Sequence, residues 1–127
     1  MPIEIEDVSD KRMLRATARG NISLHDVLAH LEREQAANAL GIPELIDARD
    51  ATTDMGGRQV RELVSHLRKL SHRYPLGPTA FVATDDVVFG MARMYSILCA
   101  DFDPRFAVFR DTASAEAWLQ SGSPVQE

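Results

Sequence analysis

The fold is decided by residues 79–101, which read TAFVATDDVVFGMARMYSILCAD. The first five residues are apolar or small without alternation, as is typical of a strand that is buried on both faces of a parallel sheet. Thr84 or Asp85 is positioned to cap a following helix, where Asp85 and Asp86 suit the positive end of the helix dipole. Residues 87–100 are then predicted to be helical, so this stretch is one strand–helix unit of an α/β protein.

The predicted helix at 87–100 is apolar almost all round. At 100° per residue, one stripe is predicted to cover the sheet, with Val88, Tyr95 and Cys99 beside it; the stripe consists of Val87, Met91, Met94 and Leu98. Phe89 and Ile97 fall on the other side with Arg93, where a helix that covers one sheet face needs no apolar residues. We therefore predict a ligand-binding or partner-binding surface there, with packing under loops or the C-terminal tail as the alternative. This surface consists of Phe89, Arg93, Met94, Tyr95 and Ile97.

On both sides of residues 79–101, the sequence patterns predict strands that alternate with helices. Strands are predicted at residues 3–6, 12–19, 44–48, 79–83 and 106–109, with a turn at 7–11 and a loop at 49–57. Ser23 and Asp26 predict a capping box at the start of the first helix, and Gly41 is predicted to end that helix in the left-handed conformation. Thr112 or Ser114 is predicted to cap the last helix.

The predicted order is β-β-α-β-α-β-α-β-α, which indicates one α/β domain over residues 1–120 with a frayed tail at 121–127. Alternation of strands and helices predicts a mixed, mostly parallel sheet, and the opening hairpin adds an antiparallel edge. The 127 residues suffice for one domain with its own core.

Composition narrows the class of protein. The chain is 45% hydrophobic and 26% charged, with a net charge of −5, which argues against a broad phosphate-binding face for nucleic acid. A single cysteine cannot form an intrachain disulfide, and no apolar run is long enough to span a membrane. These features predict a cytoplasmic protein of a bacterial type.

Four segments, in this order, resemble the SpoIIAA-like family, which is related to the STAS domains of anti-sigma factor antagonists. They are Gly20-Asn21-Ile22-Ser23, Leu45-Ile46-Asp47-Ala48-Arg49, Phe89-Gly90-Met91-Ala92-Arg93-Met94-Tyr95, and Val108-Phe109-Arg110-Asp111 with Ala117-Trp118-Leu119. The resemblance implies a STAS-like fold without catalytic activity. It also implies binding of a lipid-like ligand or a membrane surface, as is thought for some members.

In the antagonist branch of that family, a serine within an Asp-Ser-Ser-Gly pattern is phosphorylated by a partner kinase. The matching residues here are Asp54-Met55-Gly56-Gly57, and no serine occupies the acceptor position. Thr52 and Thr53 lie just upstream, outside the pattern. Phosphorylation of one of these threonines is therefore a third hypothesis for the function.

Two polar clusters are candidate sites. Asp54, Gly56, Gly57 and Arg58 could bind an anion at a helix N-terminus, with a simple turn and cap as the favoured alternative. Asp47, Arg49 and Asp50 follow a central strand at the edge where ligands of open α/β sheets bind, and Arg58 could join them in a small enzyme site. A solvated loop with local hydrogen bonds is the favoured alternative for this second cluster.

Histidine and cysteine give no site in the sequence. His25, His30, His66 and His72 are spaced by five and six residues within each pair, unlike ligands on one helix face, and surface positions are predicted for them. Cys99 is predicted to be a small buried hydrophobe. No metal or other cofactor is predicted.

The leading hypothesis from the sequence is a non-catalytic module that binds through the surface of the helix at 87–100. The bound species would be a protein partner, a second copy in a homodimer, a hydrophobic small molecule or a membrane surface. The alternative is the small enzyme or anion-binding protein with the strand-end cluster described above.

Overall fold

The computed structural model describes residues 3–8 and 13–121, and for residues 5–8 it describes the backbone only. Its strands are β1 (Ile3–Val8), β2 (Met13–Asn21), β3 (Glu44–Thr52), β4 (Thr79–Val82) and β5 (Phe106–Phe109). Its helices are α1 (Leu24–Ala36), α2 (Gly57–Ser71), α3 (Asp86–Leu98) and α4 (Thr112–Gln120). This order of elements is the one that the sequence predicts.

The described strands form one mixed sheet in the order β1-β2-β3-β4-β5. β1 pairs antiparallel with β2, and every other neighbouring pair is parallel, which confirms the predicted hairpin and the mostly parallel sheet. The predicted turn at 7–11 and the predicted tail at 121–127 lie largely outside the described residues.

The two faces of the sheet are covered unequally. The helices α1, α2 and α3 pack over one face, where buried alanines such as Ala18, Ala48 and Ala51 form the floor. α4 covers the other face, where Ala115 packs with Leu45 and Val82. Apolar residues are therefore buried on both faces of β3 and β4, as the short apolar runs predict.

Three differences at element ends bear on the predicted loop and caps. β3 continues to Thr52 because Ala51 and Thr52 pair with the end of β2, so half of the predicted loop is strand. α1 ends at Ala36, and the left-handed residue that follows it is Asn38 with φ 57°, whereas Gly41 does not adopt that conformation. Asp111 caps α4, because its carboxylate accepts from the Ser114 N–H at 2.7 Å.

The buried stripe of α3 also differs from the prediction. Val88, Ala92, Tyr95 and Cys99 are buried, whereas Val87 is 55% exposed and Leu98 is 36% exposed. The helix is thus rotated by about one residue, or 100°. Because the helix is apolar almost all round, its sequence does not select which side is buried. The small side chains of Ala92 and Cys99 allow the observed side to lie close to the sheet.

Candidate functional site

A cavity of about 180 Å3 lies between the sheet and the helices α1, α2 and α3. Its floor is made by β2, β3 and β4, and small residues such as Ala18 and Ala48 leave space there. Its roof is made by larger apolar side chains, including Val27, Leu63 and Val88. The cavity arises because alanines on the sheet face bulky residues on the helices, and the helices do not collapse onto the sheet.

Three ionisable side chains line one end of this cavity, at the start of β3. His30 and Glu34 lie one turn apart on α1, and Glu44 is the first residue of β3. His30 Nε2 lies 3.0 Å from Glu44 Oε2 and 3.5 Å from Glu34 Oε1. All three residues are at most 5% exposed, so water does not compensate their charges.

Burial shifts the protonation of all three groups. It lowers the pKa of His30, so the imidazole is neutral at pH 7. Burial, reinforced by the neighbouring Glu44, raises the pKa of Glu34 to about 9, and burial raises the pKa of Glu44 to about 7. The contacts of His30 are therefore hydrogen bonds of a neutral ring rather than ion pairs.

A second polar group lines the cavity near the start of β5. The Tyr95 hydroxyl donates to Asp103 Oδ2 at 3.3 Å, and burial raises the pKa of Asp103 to about 6. Cys99 Sγ lies 3.8 Å from the Asp103 carbonyl oxygen, and burial raises the pKa of this thiol to about 12. Cys99 is fully buried, as predicted, and its thiol is protonated at neutral pH.

The loops before β3 and before β4 close the end of the cavity at which His30, Glu34 and Glu44 lie. The Gly77 N–H donates to the Leu40 carbonyl at 2.9 Å, and the Glu44 N–H donates to the Pro78 carbonyl at 3.0 Å. A Cβ atom on Gly77 would lie 2.5 Å from the Gly41 carbonyl oxygen, so only glycine permits this approach of the two chains. These backbone contacts fix the position from which the Glu44 side chain enters the cavity.

The predicted strand-end cluster does not converge. Asp47 Oδ2 lies 2.8 Å from Arg49 Nη2 and 3.1 Å from Arg15 Nη2, on the face that α4 covers. Hydrogen bonds from Arg49 lower the pKa of Asp47 to about 2. Asp50 is exposed, and Arg58 lies on α2 over the opposite face of the sheet. The geometry is that of an ion-paired carboxylate that stabilises the sheet.

The predicted anion-binding residues form the start of α2. Gly56 is the N-cap, and its N–H donates to the side-chain oxygen of Gln59 at 2.9 Å. Asp54 accepts from the Asn21 side chain at 3.1 Å, Gly57 begins the helix, and Arg58 is exposed. These contacts are those of a turn and cap, which the sequence favours.

The phosphorylation candidates lie in the same connection between β3 and α2. Thr52 is the exposed last residue of β3. The Thr53 hydroxyl donates to the Ile22 carbonyl at 2.6 Å and accepts from the Met55 N–H at 3.1 Å, so it holds the turn together. Phosphorylation of either residue stays a prediction.

The predicted surface on α3 is divided. Ile97 is 68% exposed and Arg93 is exposed, as predicted, and Met94 is partly buried. Tyr95 is buried in the core, so it does not belong to the surface. Phe89 is partly buried, and the Arg110 guanidinium lies 3.8 Å from its ring centroid. The sequence missed this cover because Arg110 lies in the connection after β5.

Sequence reasoning also missed the polar end of the cavity. It placed His30 on the surface, whereas both His30 and Glu34 are buried. The pair had a signal in the sequence. His30 follows Val27, a residue of the apolar stripe, by three residues, and Glu34 follows His30 by four, so all three lie on one side of the helix. The third member, Glu44, is distant in sequence, and only the fold brings it to the other two.

The comparisons with known proteins identify the fold. No family model and no curated protein matches the chain. The chain is similar to the crystal structure of an uncharacterized protein from the DUF3478 family, with a SpoIIAA-like fold, from Shewanella loihica PV-4. The match has a TM-score of 0.59 and 20% sequence identity, and it covers 92% of this chain and 91% of that chain.

This protein therefore has a SpoIIAA-like fold, as the resemblance predicts. An identity of 20% shows the fold and no activity, so function has to be argued from the site. No helix among the described residues is long and apolar enough to cross a membrane.

Proposed function

We propose that this protein is a non-catalytic binding module that takes a small apolar molecule into the cavity between the sheet and α1, α2 and α3. The single observation that carries the proposal is the cavity of about 180 Å3 with an almost entirely apolar lining. An apolar cavity of about 150 Å3 is large enough to bind benzene. The expected ligand is therefore an uncharged molecule of about that size or slightly larger.

The position of the cavity supports this function. It is lined by all three helices of one layer and by the sheet, so a ligand there contacts side chains from both layers. A ligand that fills the cavity gives the lining side chains dispersion contacts that they lack when the cavity is empty. A ligand that binds only the folded chain also stabilises it by mass action.

Benzene is a suitable probe of this cavity. We expect added benzene to raise the unfolding temperature and to shift the NMR methyl signals of lining residues such as Val27 and Val88. Ala48→Leu places three more carbons in the cavity and should abolish both effects. Ala113→Leu, on the exposed side of α4, is the matched control and should preserve them. Shifts confined to surface methyls, or full binding by Ala48→Leu, would contradict the proposal.

A second candidate function is self-association through α3. Of the four large hydrophobic residues that are exposed in the described part of the chain, three lie at this helix; they are Val87, Ile97 and Leu98. Gly90 lies among them with open space around it, so a second helix can approach closely. A second copy of this chain is therefore the expected occupant.

Sedimentation velocity tests this candidate. The wild-type chain should form dimers, and Ile97→Glu should convert them to monomers because it buries a charge in the interface. Ala113→Glu introduces the same charge on α4 and should leave the dimer intact. Ile97 is a better probe than Phe89, since Phe89 also packs against the core. A wild-type monomer at every concentration would exclude the dimer.

A further inference from the structure

We propose that His30, Glu34 and Glu44 form a binding site for a divalent transition-metal ion, with Zn2+ as the representative ion, at the polar end of the cavity. The site does not depend on binding of an apolar ligand, and each can be tested in the absence of the other.

The spacing of the side chains suits one metal ion. A ligand atom from each of the three residues lies within 4.8 Å of the other two. The closest pairs are His30 Nε2 with Glu44 Oε2 at 3.0 Å and with Glu34 Oε1 at 3.5 Å. Nitrogen and oxygen ligands at about 2.0–2.2 Å from a tetrahedral Zn2+ lie roughly 3.3–3.6 Å from each other. The metal-free arrangement is therefore close to the one that binding requires.

The charge of the deprotonated site suits a divalent cation. Binding would displace the protons of Glu34 and Glu44, and the neutral imidazole and the two carboxylates would then sum to a charge of −2, which a divalent ion neutralises. The complex would then carry no net charge, which suits a buried site. One imidazole with two carboxylates suits Zn2+ and similar ions, whereas Ca2+ takes six to eight oxygen ligands.

The scaffold holds the ligands in place. His30 and Glu34 project from the same face of α1, and Glu44 is fixed by the ladder to β4 through its pairing with Thr79. Sites on helices and strands hold ligand geometry more closely than sites on loops. Because all three side chains line the cavity, the remaining coordination positions are available to water or to a ligand inside it.

A further observation concerns the histidine ring. Its Nδ1 atom is buried and has no hydrogen-bond partner among the described residues. The contacts of the ring are directed through Nε2 at the two carboxylates, which is the orientation that a shared ion requires.

Calorimetric titration of the full chain with Zn2+, after removal of metals by a chelator, tests the proposal. We expect one Zn2+ to bind per chain, and Glu34→Gln or Glu44→Gln to weaken binding about 100-fold or more, since loss of an outer-shell partner alone costs roughly 10–100-fold. Asp103→Asn is the matched control, because it removes a buried carboxyl of the same cavity outside the cluster. This variant and His25→Gln, at an exposed histidine, should bind as the wild type does.

NMR of the histidine rings in the wild-type chain provides a test that does not depend on whether the variants fold. Zn2+ should shift the 15N signals of the His30 ring and leave those of His25, His66 and His72 unchanged. Absence of Zn2+ binding by the wild type would overturn the proposal, and so would shifts confined to the other three histidines. Undiminished binding by both glutamine variants would overturn it as well.

Discussion

At the scale of single residues, the unusual feature is the pair of buried carboxyl groups on Glu34 and Glu44. Folding removes both from water and places them beside each other, so the protonated form is favoured. Asp47 shows the opposite behaviour, because Arg49 and Arg15 hold its carboxylate ionised. Carboxyl groups thus have raised pKa values on the cavity face and a lowered pKa value on the face that α4 covers.

The raised pKa values predict that the metal-free protein loses stability as the pH rises. The unfolded chain releases both protons near pH 4.5, whereas the folded chain holds them until about pH 7 at Glu44 and about pH 9 at Glu34. The contribution is therefore complete below about pH 4.5 and is lost as the pH rises through these folded values. Each pKa unit corresponds to about 1.4 kcal/mol, so the loss is on the order of several kcal/mol.

Urea unfolding at several pH values in the presence of a chelator measures this loss. Glu34→Gln should stay folded and flatten the decline between about pH 6 and pH 9, because glutamine has the shape of the protonated carboxyl group and cannot ionise. Glu62→Gln, on the exposed face of α2, should decline as the wild type does. Equal slopes for wild type and Glu34→Gln would show that Glu34 does not retain its proton.

At the scale of elements, α3 combines a well-defined start with an undetermined rotation. Its N-cap is Asp85, whose carboxylate accepts from the backbone N–H groups of Val87 and Val88, both at 3.1 Å. The rotation follows from packing, since Tyr95 contacts Phe106 edge-on with the ring centroids 4.7 Å apart. Local side-chain chemistry thus fixes where the helix begins, and its neighbours fix which side is buried.

Asp85→Ala is expected to lower the free energy of unfolding by about 1 kcal/mol, because two N–H groups lose their acceptor. The neighbouring Asp86→Ala is the control, since Asp86 makes an exposed ion pair with Arg110 at 3.0 Å. Exposed pairs of this kind contribute about 0–1 kcal/mol. Chemical denaturation of both variants measures the difference. A larger loss for Asp86→Ala than for Asp85→Ala would contradict the assignment of the cap.

At the scale of the whole molecule, the cavity results from an uneven distribution of side-chain volume between the two faces of the sheet. Alanines on one face of the sheet lie beneath helices whose buried residues are mostly larger. On the other face, Leu45 and Val82 pack directly against α4. The unfilled volume is therefore concentrated in one place, between the sheet and the three-helix layer.

Hydrostatic pressure should reveal this empty volume, since the volume lost on unfolding scales with internal voids. Ala48→Leu fills part of the cavity and should reduce the magnitude of the volume change by on the order of 20 mL/mol. Fluorescence of Trp118, which packs against Phe109 on the opposite face, can report unfolding under pressure. Ala113→Leu should unfold with the volume change of the wild type, and an unchanged value in Ala48→Leu would exclude an empty cavity.

The elements of this protein follow from local sequence. Apolar runs such as 79–83, caps such as Ser23 and Asp85, and the strand–helix alternation predicted the order of elements and the mostly parallel sheet. These signals act over a few residues, through backbone hydrogen bonding and side-chain periodicity. They can therefore be recognised in the sequence without knowing the tertiary contacts of each element.

The complete candidate site is formed only in the tertiary structure. Glu44 meets His30 and Glu34 only because β3 lies beneath α1, and Arg110 covers Phe89 only because the connection after β5 reaches the start of α3. Burial, which sets the protonation of these groups, depends on the packing of all three helices. Local sequence patterns are therefore enough to predict the fold. The cavity and the protonation of its polar groups depend on contacts between residues that are distant in the chain, and local patterns do not encode such contacts.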